Sequence, residues 1–319
     1  MKNSGKWFII VEAALAFMII IMAVMMVQEK NEENFRKVSV IVRNSDDNQW
    51  AAFKYGLKMA AEEQNIDLYI VNTGETLTAE EEISIINREL EHGTRAVIVQ
   101  PAAGNDMQAM LKKIEKKVPV LLAERAASKE DGASQLPRIG PDDYAMGETL
   151  AEELLKDYNG NIAGKTLGIV TDSVLTDRKK GLEDGLKDTG VNISWCIAGP
   201  QSDMERLLME QPKADFVAAL DDVSLTASGE CAAANNLHSA LVYGIGNSME
   251  AVYYLDTGAA ECLIVPDDFS MGYQSLTEAA EKIRNRFYKM KNRTVSYTVL
   301  CAEELFSEKN QEILFTMSQ

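Results

Sequence analysis

Asp46, Asp47 and Trp50 fall within five residues of one another, in the run Arg43-Asn44-Ser45-Asp46-Asp47-Asn48-Gln49-Trp50. Two carboxylates offer acceptors for hydroxyl groups, and an indole offers a flat apolar face, so together they suit the docking of a small polar molecule. The run follows the apolar segment Val38–Val42 and leads into a helix that opens at Trp50. In open α/β sheets ligands bind beyond the carboxyl ends of strands, which is where this loop would lie. Elsewhere the reactive residue types are sparse. His92 and His238 are the only histidines, too few for a histidine metal cluster, and they read as a helix-terminal charge beside Gly93 and a loop residue. Cys196, Cys231, Cys262 and Cys301 form no C-x-x-C pair, which argues against zinc or redox chemistry. Free thiols are the expectation for them, although an oxidising exterior would permit disulfides. Gly160–Thr166 is one residue short of a phosphate-binding P-loop and runs into a strand. Gly244-Ile245-Gly246-Asn247-Ser248 lacks the glycines flanking serine that a nucleophile elbow requires. No catalytic group, metal or cofactor is expected, and the chain does not read as an enzyme.

The 319 residues, 46% apolar, suffice for an anchor and two lobes with real cores. A formal charge of −17, from 49 acidic and 32 basic side chains, would repel phosphate backbones, so nucleic acid is not an expected partner. Trp7–Val27 is an almost unbroken apolar run of 21 residues, and roughly 20 cross a bilayer as a helix. Lys2 and Lys6 precede it while Glu29, Glu32 and Glu33 follow, which places the amino terminus in the cytoplasm and the remainder outside. Glu12 lies near the cytoplasmic end, where it reads as a snorkelling interfacial charge rather than an intramembrane site. A cleaved signal peptide is the rival reading. The run is long for one and lacks a small-x-small exit or a cysteine that could accept lipid, so an uncleaved membrane anchor is favoured.

Beyond a polar linker, apolar runs alternate with amphipathic stretches, the rhythm of βαβ units and a parallel sheet. A first series has strands near Val38–Val42, Asp67–Val71, Ala96–Val99 and Val118–Leu122. Its helices start at Trp50, at Thr78 with a capping box to Glu81, and near Asp106. A second series has a helix from Asp142 to about Tyr158 and strands near Thr166–Val170, Ile193–Ile197, Phe216–Leu220 and Ala240–Gly244. A helix from Ser202 is expected to be boxed by Glu205. Glu261–Val265 then leads through Pro266 to a long helix near Met271–Met290 and one last strand near Thr294–Leu300. The two series amount to a coarse duplication of one βα half.

Six short strings occur in an order that resembles the type I periplasmic binding proteins of the ribose- and galactose-binding kind, which share their fold with the ligand domain of LacI-type repressors. They are the opening strand with its loop and Trp50; Gly93–Pro101; Val118–Arg125, where the family usually reads Asp-Arg; Ile139–Gly147; Arg178-Lys179-Lys180-Gly181; and Leu220-Asp221-Asp222. The resemblance, over about Val38–Phe306, implies an α/β fold of two three-layer parallel-sheet lobes joined by a hinge, with the membrane helix in front. The expected divisions are 1–30 anchor, 31–37 linker, 38–138 with 267–292 as the N-terminal lobe, 139–266 with 293–306 as the C-terminal lobe, and 307–319 as a tail.

Carried over position by position, the ligand-binding candidates are Asp46, Asp47, Trp50, Glu124, Arg125, Arg178, Asp221 and Asn247. Such a set suits sugars, with the indole on a pyranose face and charged groups on adjacent hydroxyls. Other readings stay open: Trp50 as a core staple, Arg178 paired with Asp177 or Asp184, Asp47 and Asp221 as helix caps. Trp50→Ala and Arg178→Ala are expected to weaken binding without unfolding. Three positions depart from the family: Glu124 for Asp, Gly246 for an Asp, and Pro266 for a polar residue. These leave the solute's identity open. The implied partner is an ABC permease or, alternatively, a membrane sensor kinase. A repressor would need a DNA-binding helix pair where the apolar run stands.

Overall fold

The structure, a computed structural model, describes residues 15–22, 36–74, 77–104, 106–124, 136–171 and 176–319. Most of the expected membrane span lies outside these residues. The part within them, 15–22, is helical (α1) with exposed apolar side chains. Among the described residues no helix is long and apolar enough to cross a membrane.

The expected pair of α/β lobes is what the remainder forms. The first sheet has the order β11-β5-β4-β3-β1-β2, all parallel, from β1 (Lys37–Ile41), β2 (Asp67–Ile70), β3 (Ala96–Val99), β4 (Val120–Ala123), β5 (Arg138–Pro141) and β11 (Arg293–Val295). The second repeats that plan as β12-β10-β9-β8-β6-β7, from β6 (Thr166–Thr171), β7 (Asn192–Ala198), β8 (Phe216–Ala219), β9 (Leu241–Ile245), β10 (Cys262–Pro266) and β12 (Tyr297–Leu300). Here β12 runs antiparallel to β10.

Strand alternation splits each sheet between two cores. Val38, Ile98 and Leu121 meet α2 (Ala51–Gln64) and α10 (Asp268–Arg284), while Val97, Val99 and Leu122 meet α3 (Ala79–Glu91) and α4 (Met107–Glu115). In the second lobe Ile169, Phe216 and Ile264 pack on α5 (Asp143–Asp157) and α6 (Thr176–Gly185). Its other face packs on α7 (Gln201–Met209), α8 (Asp222–Ala233) and α9 (Met249–Asp256). The Thr78–Glu81 capping box forms.

Three expectations are corrected. Arg138–Pro141 pairs with β4 instead of opening the second lobe, so the first crossing follows Pro141, not residue 138. The single last strand is two: β11 completes the first sheet and β12 the second, with the chain crossing at Ser296. Helix α7 begins at Gln201 after Pro200 and has no capping bond, because Ser202 already lies inside its first turn. The tail carries α11 (Gln311–Met317), with Met317 in the second core and Phe315 against Tyr55 of α2.

Each lobe also has one very close helix crossing. A methyl group added at Gly147 of α5 would run into the Arg178 carbonyl, and one at Gly181 of α6 into the Tyr144 carbonyl; Gly56 and Gly272 play the same parts for α2 and α10. The crossing of α5 on α6 sets the height of Arg178. Gly147→Ala should therefore destabilise the chain by about 1–3 kcal/mol through overpacking, read as a lowered denaturant midpoint. An unchanged midpoint would mean that the two helices can part freely.

Candidate functional site

The carboxyl ends of both sheets face a hollow lined by Gln49, Trp50, Glu124, Arg178, Asp221, Asp222, Asn247 and Asp268, with Pro141, Ile245, Gly246, Pro266 and Met271. Counted with the open solvent at its mouth, the space between these atoms is about 390 Å³. The lobes are drawn together across it. Asn247, after β9, donates from Nδ2 to the Gln49 carbonyl at 3.0 Å and to the Asp268 carboxylate. Arg178 approaches Glu124 with Nη2 3.7 Å from Oε1. Anything bound here would have to replace some of these contacts.

Arg178 is 4% exposed. Its Nε donates to Asp143 at 2.8 Å and its Nη1 to the Leu220 carbonyl at 2.8 Å. Burial opposes the charge, but Asp143 and Glu124 outweigh it and hold the guanidinium above its ordinary value. The pairing with Asp177 or Asp184 does not form; Asp184 accepts from Tyr144 instead. Trp50, 2% exposed, donates from Nε1 to the Arg43 carbonyl at 2.9 Å, packs edge-on to Phe53, and also lines the hollow. It is core staple and cleft wall at once. Both side chains are therefore structural as well as candidate ligand contacts: Trp50→Ala would open a cavity, and Arg178→Ala would take one partner from Asp143, which keeps Arg138, and one from Glu124, which keeps Gln100, so a loss of stability is expected at either position.

Glu124 lies in the hollow in a left-handed backbone conformation, φ 64°, which is uncommon for a residue with a side chain and typical of functional loops. Its Oε2 accepts from Gln100, and its carbonyl accepts from Arg138 Nε at 2.8 Å. Asp221 caps α8 through Ser224 N at 2.9 Å and also borders the hollow. Asp47 caps the turn at Gln49, and with Asp46 it lines a second interlobe pocket that lies beside the hollow and shares Asp222 with it. Asp46 is exposed and accepts from Asn72. Arg125 lies outside the described residues.

The sequence reading missed Asp222, Asp268, Asp143 and Gln49, and a regular signal marks three of them. At Asp142-Asp143, Asp221-Asp222 and Asp267-Asp268 the first aspartate caps a helix, through Ala145, Ser224 and Ser270 N respectively. The second is turned inward, toward Arg178 or the hollow. Tandem aspartates at helix starts on the carboxyl edge of a sheet therefore point to the cleft. Asp222 Oδ1 accepts from Asn247 N and Ser248 N, both at 2.8 Å. Burial pushes its carboxyl up to about 6 against those bonds. Among the described residues no cluster of His, Cys, Asp and Glu is arranged to hold a metal ion. All four cysteines are free; Cys231 and Cys262 are buried, but Cys196 is exposed.

The chain thus forms two α/β lobes, crosses between them three times and bridges them over a polar hollow. The periplasmic binding protein domain family matches residues 38–286, and the chain belongs to it. No curated relative matches with significance. Among solved structures, a carbohydrate transporter solute-binding protein from Agrobacterium radiobacter, in complex with D-arabinose, is similar with a TM-score of 0.76 at 19% identity, covering 87% of this chain and 98% of that one. The Caulobacter myo-inositol binding protein, bound to myo-inositol, gives 0.73 at 19% identity over 87% and 97%. A glucose-galactose binding protein from Geobacillus stearothermophilus gives 0.71 at 18% over 85% and 99%.

Burial pushes the Asp268 carboxyl from its ordinary 3.8 up to about 8, against its bond to Asn247 and the nearby Arg178 charge and aided by Glu124 and Asp267. The folded, closed form thus keeps a proton that the unfolded chain releases. Its stabilising contribution is complete below about pH 4 and is lost as pH rises through about 8. Asp268→Asn should flatten the fall in melting temperature between about pH 5 and pH 9 and stabilise the chain at pH 8 by about 1–3 kcal/mol. Parallel melting curves for wild type and variant would show that Asp268 is already ionised in the fold.

Proposed function

We propose that the chain is a membrane-anchored, extracytoplasmic solute-binding protein that captures a sugar or sugar derivative in its interlobe cleft by hinge closure and presents it to an ABC permease. The observation that carries this reading is the convergence of the Trp50 indole, the Arg178 guanidinium and the carboxyls of Glu124, Asp222 and Asp268 on one hollow from both lobes. An aromatic face with many acceptors and few donors matches a hydroxyl-rich ring. The charge balance speaks against an anionic guest. Arg178 already has Asp143 and Glu124 as partners, and the other charged groups lining the hollow are acids. Arabinose, inositol and glucose-galactose in the names of the similar proteins agree with this class. The apolar run Trp7–Val27 supports the anchor, and the charges flanking it support the orientation.

Because Trp50 and Arg178 also hold the fold, the better probe is Asn247, which is half-buried and bridges the lobes. A thermal-shift screen of sugars, polyols and sugar phosphates should find a neutral sugar or polyol that raises the melting temperature. Asn247→Ala should weaken that ligand about tenfold, roughly 1.4 kcal/mol by calorimetry, and lower the melting temperature of the free chain through the lost bonds to Gln49 and Asp268. Wild-type affinity in the variant would remove the cleft as the binding site.

A further inference from the structure

All six strands of the first sheet run parallel, so their amino ends share one edge, opposite the cleft. The chain enters that edge at Arg36, whose carbonyl accepts from Asp67 N at the start of β2. The segment joining α10 to β11 crosses the same pole: Arg284 donates to Gln64 at the end of α2, and Asn292 accepts from Arg138 N at the start of β5. From Arg284 to Arg293 the sequence is Arg-Asn-Arg-Phe-Tyr-Lys-Met-Lys-Asn-Arg, with five basic residues and no acid, in a chain of net charge −17.

This segment is firmly held. Lys282 Nζ donates to the carbonyls of Arg286 and Tyr288, and Glu278 accepts from the Tyr288 hydroxyl, Lys291 N and the Arg293 guanidinium. Yet it displays Phe287 at 95% exposure. Arg286, Lys289 and Lys291 are exposed beside it, without an acidic partner among the described residues. A rigid turn that holds out one phenylalanine ringed by cations is suited to insertion at a lipid interface, the ring below the headgroups and the cations on phosphate. The tether is short: whatever their path, the nine residues 28–36 reach no more than about 32 Å from the end of the apolar run.

We propose that the 285–292 turn docks the first lobe, base down, on an anionic lipid surface, with Phe287 as the inserted group. The proposal rests on the membrane anchoring argued above. The chain as a whole is repelled by anionic headgroups, so this basic pole fixes which face approaches. A lobe seated in this way turns its cleft away from the bilayer. Handing a solute to a permease would then require the turn to let go, whereas signalling through the tether would not.

The test uses the full chain in nanodiscs that contain phosphatidylglycerol and brominated acyl chains. Trp7, in the apolar run, reports the anchor; Phe287→Trp adds a reporter at the turn. The expected result is that wild-type emission is partly quenched, that the emission added by Phe287→Trp is quenched by half or more, and that Arg286→Glu with Lys289→Glu abolishes the added quenching. Quenching in wild type without quenching of the added emission overturns the docking and leaves the anchor standing. Chain that washes off the nanodiscs, with Trp7 unquenched, overturns the anchor and the docking with it. A blue shift of the added emission that follows protein density in unbrominated discs means that a second copy covers the turn, and it overturns the lipid assignment.

Discussion

A buried guanidinium has to be neutralised where it stands, and in this chain the partners of Arg178 fix the relation between the lobes. Asp143, 2.8 Å from its Nε, belongs to the first turn of α5, directly after the crossing at Pro141. The same carboxylate reaches back to Arg138 of the first sheet at 3.3 Å. A chain of charges, Arg178–Asp143–Arg138, thus runs from the second lobe to the first beside the crossing at Pro141. Glu124 is different. It stands 3.7 Å away across the cleft, at the far limit of an ion pair, so its approach adds to a cation that is already compensated.

Much of this arrangement was legible in the sequence, and the failures have physical causes. Apolar runs bounded by turn residues gave the strands, because the inner strands β3, β4, β8 and β10 are covered on both faces and buried at every position. Sheet membership was not legible at Thr294–Leu300. The run looks continuous, and only the pairing partners reveal that Val295 and Tyr297 belong to different lobes. The box expected at Ser202 failed because Pro200 already supplies the fixed backbone angle that starts the helix, and Glu205 faces Glu230, which raises its carboxyl. Trp50 and Arg178 were recognisable by residue type. The core-staple reading of Trp50 was open from its place at a helix start; what residue type hid is that Arg178 is buried against Asp143 rather than paired at the surface.

The cleft also accounts for two of the positions where the chain departs from the pattern it resembles. Gly246 stands where an aspartate is common among sugar binders. A side chain beginning there would put its first carbon 2.9 Å from Asp222 Oδ1, so the space is already taken by a carboxylate arriving from α8. Pro266 carries no polar group, but two residues later Asp268 reaches the hollow from the first turn of α10. Two acidic groups thus stand at helix starts on the hollow, and burial pushes them up to about 6 and about 8. At neutral pH an Asp268 that keeps its proton can donate as well as accept, so the cleft gains a donor that a count of ionised groups would miss. A ring hydroxyl, itself both donor and acceptor, can satisfy such a carboxyl in either direction, whereas a carboxylate or phosphate guest can only accept.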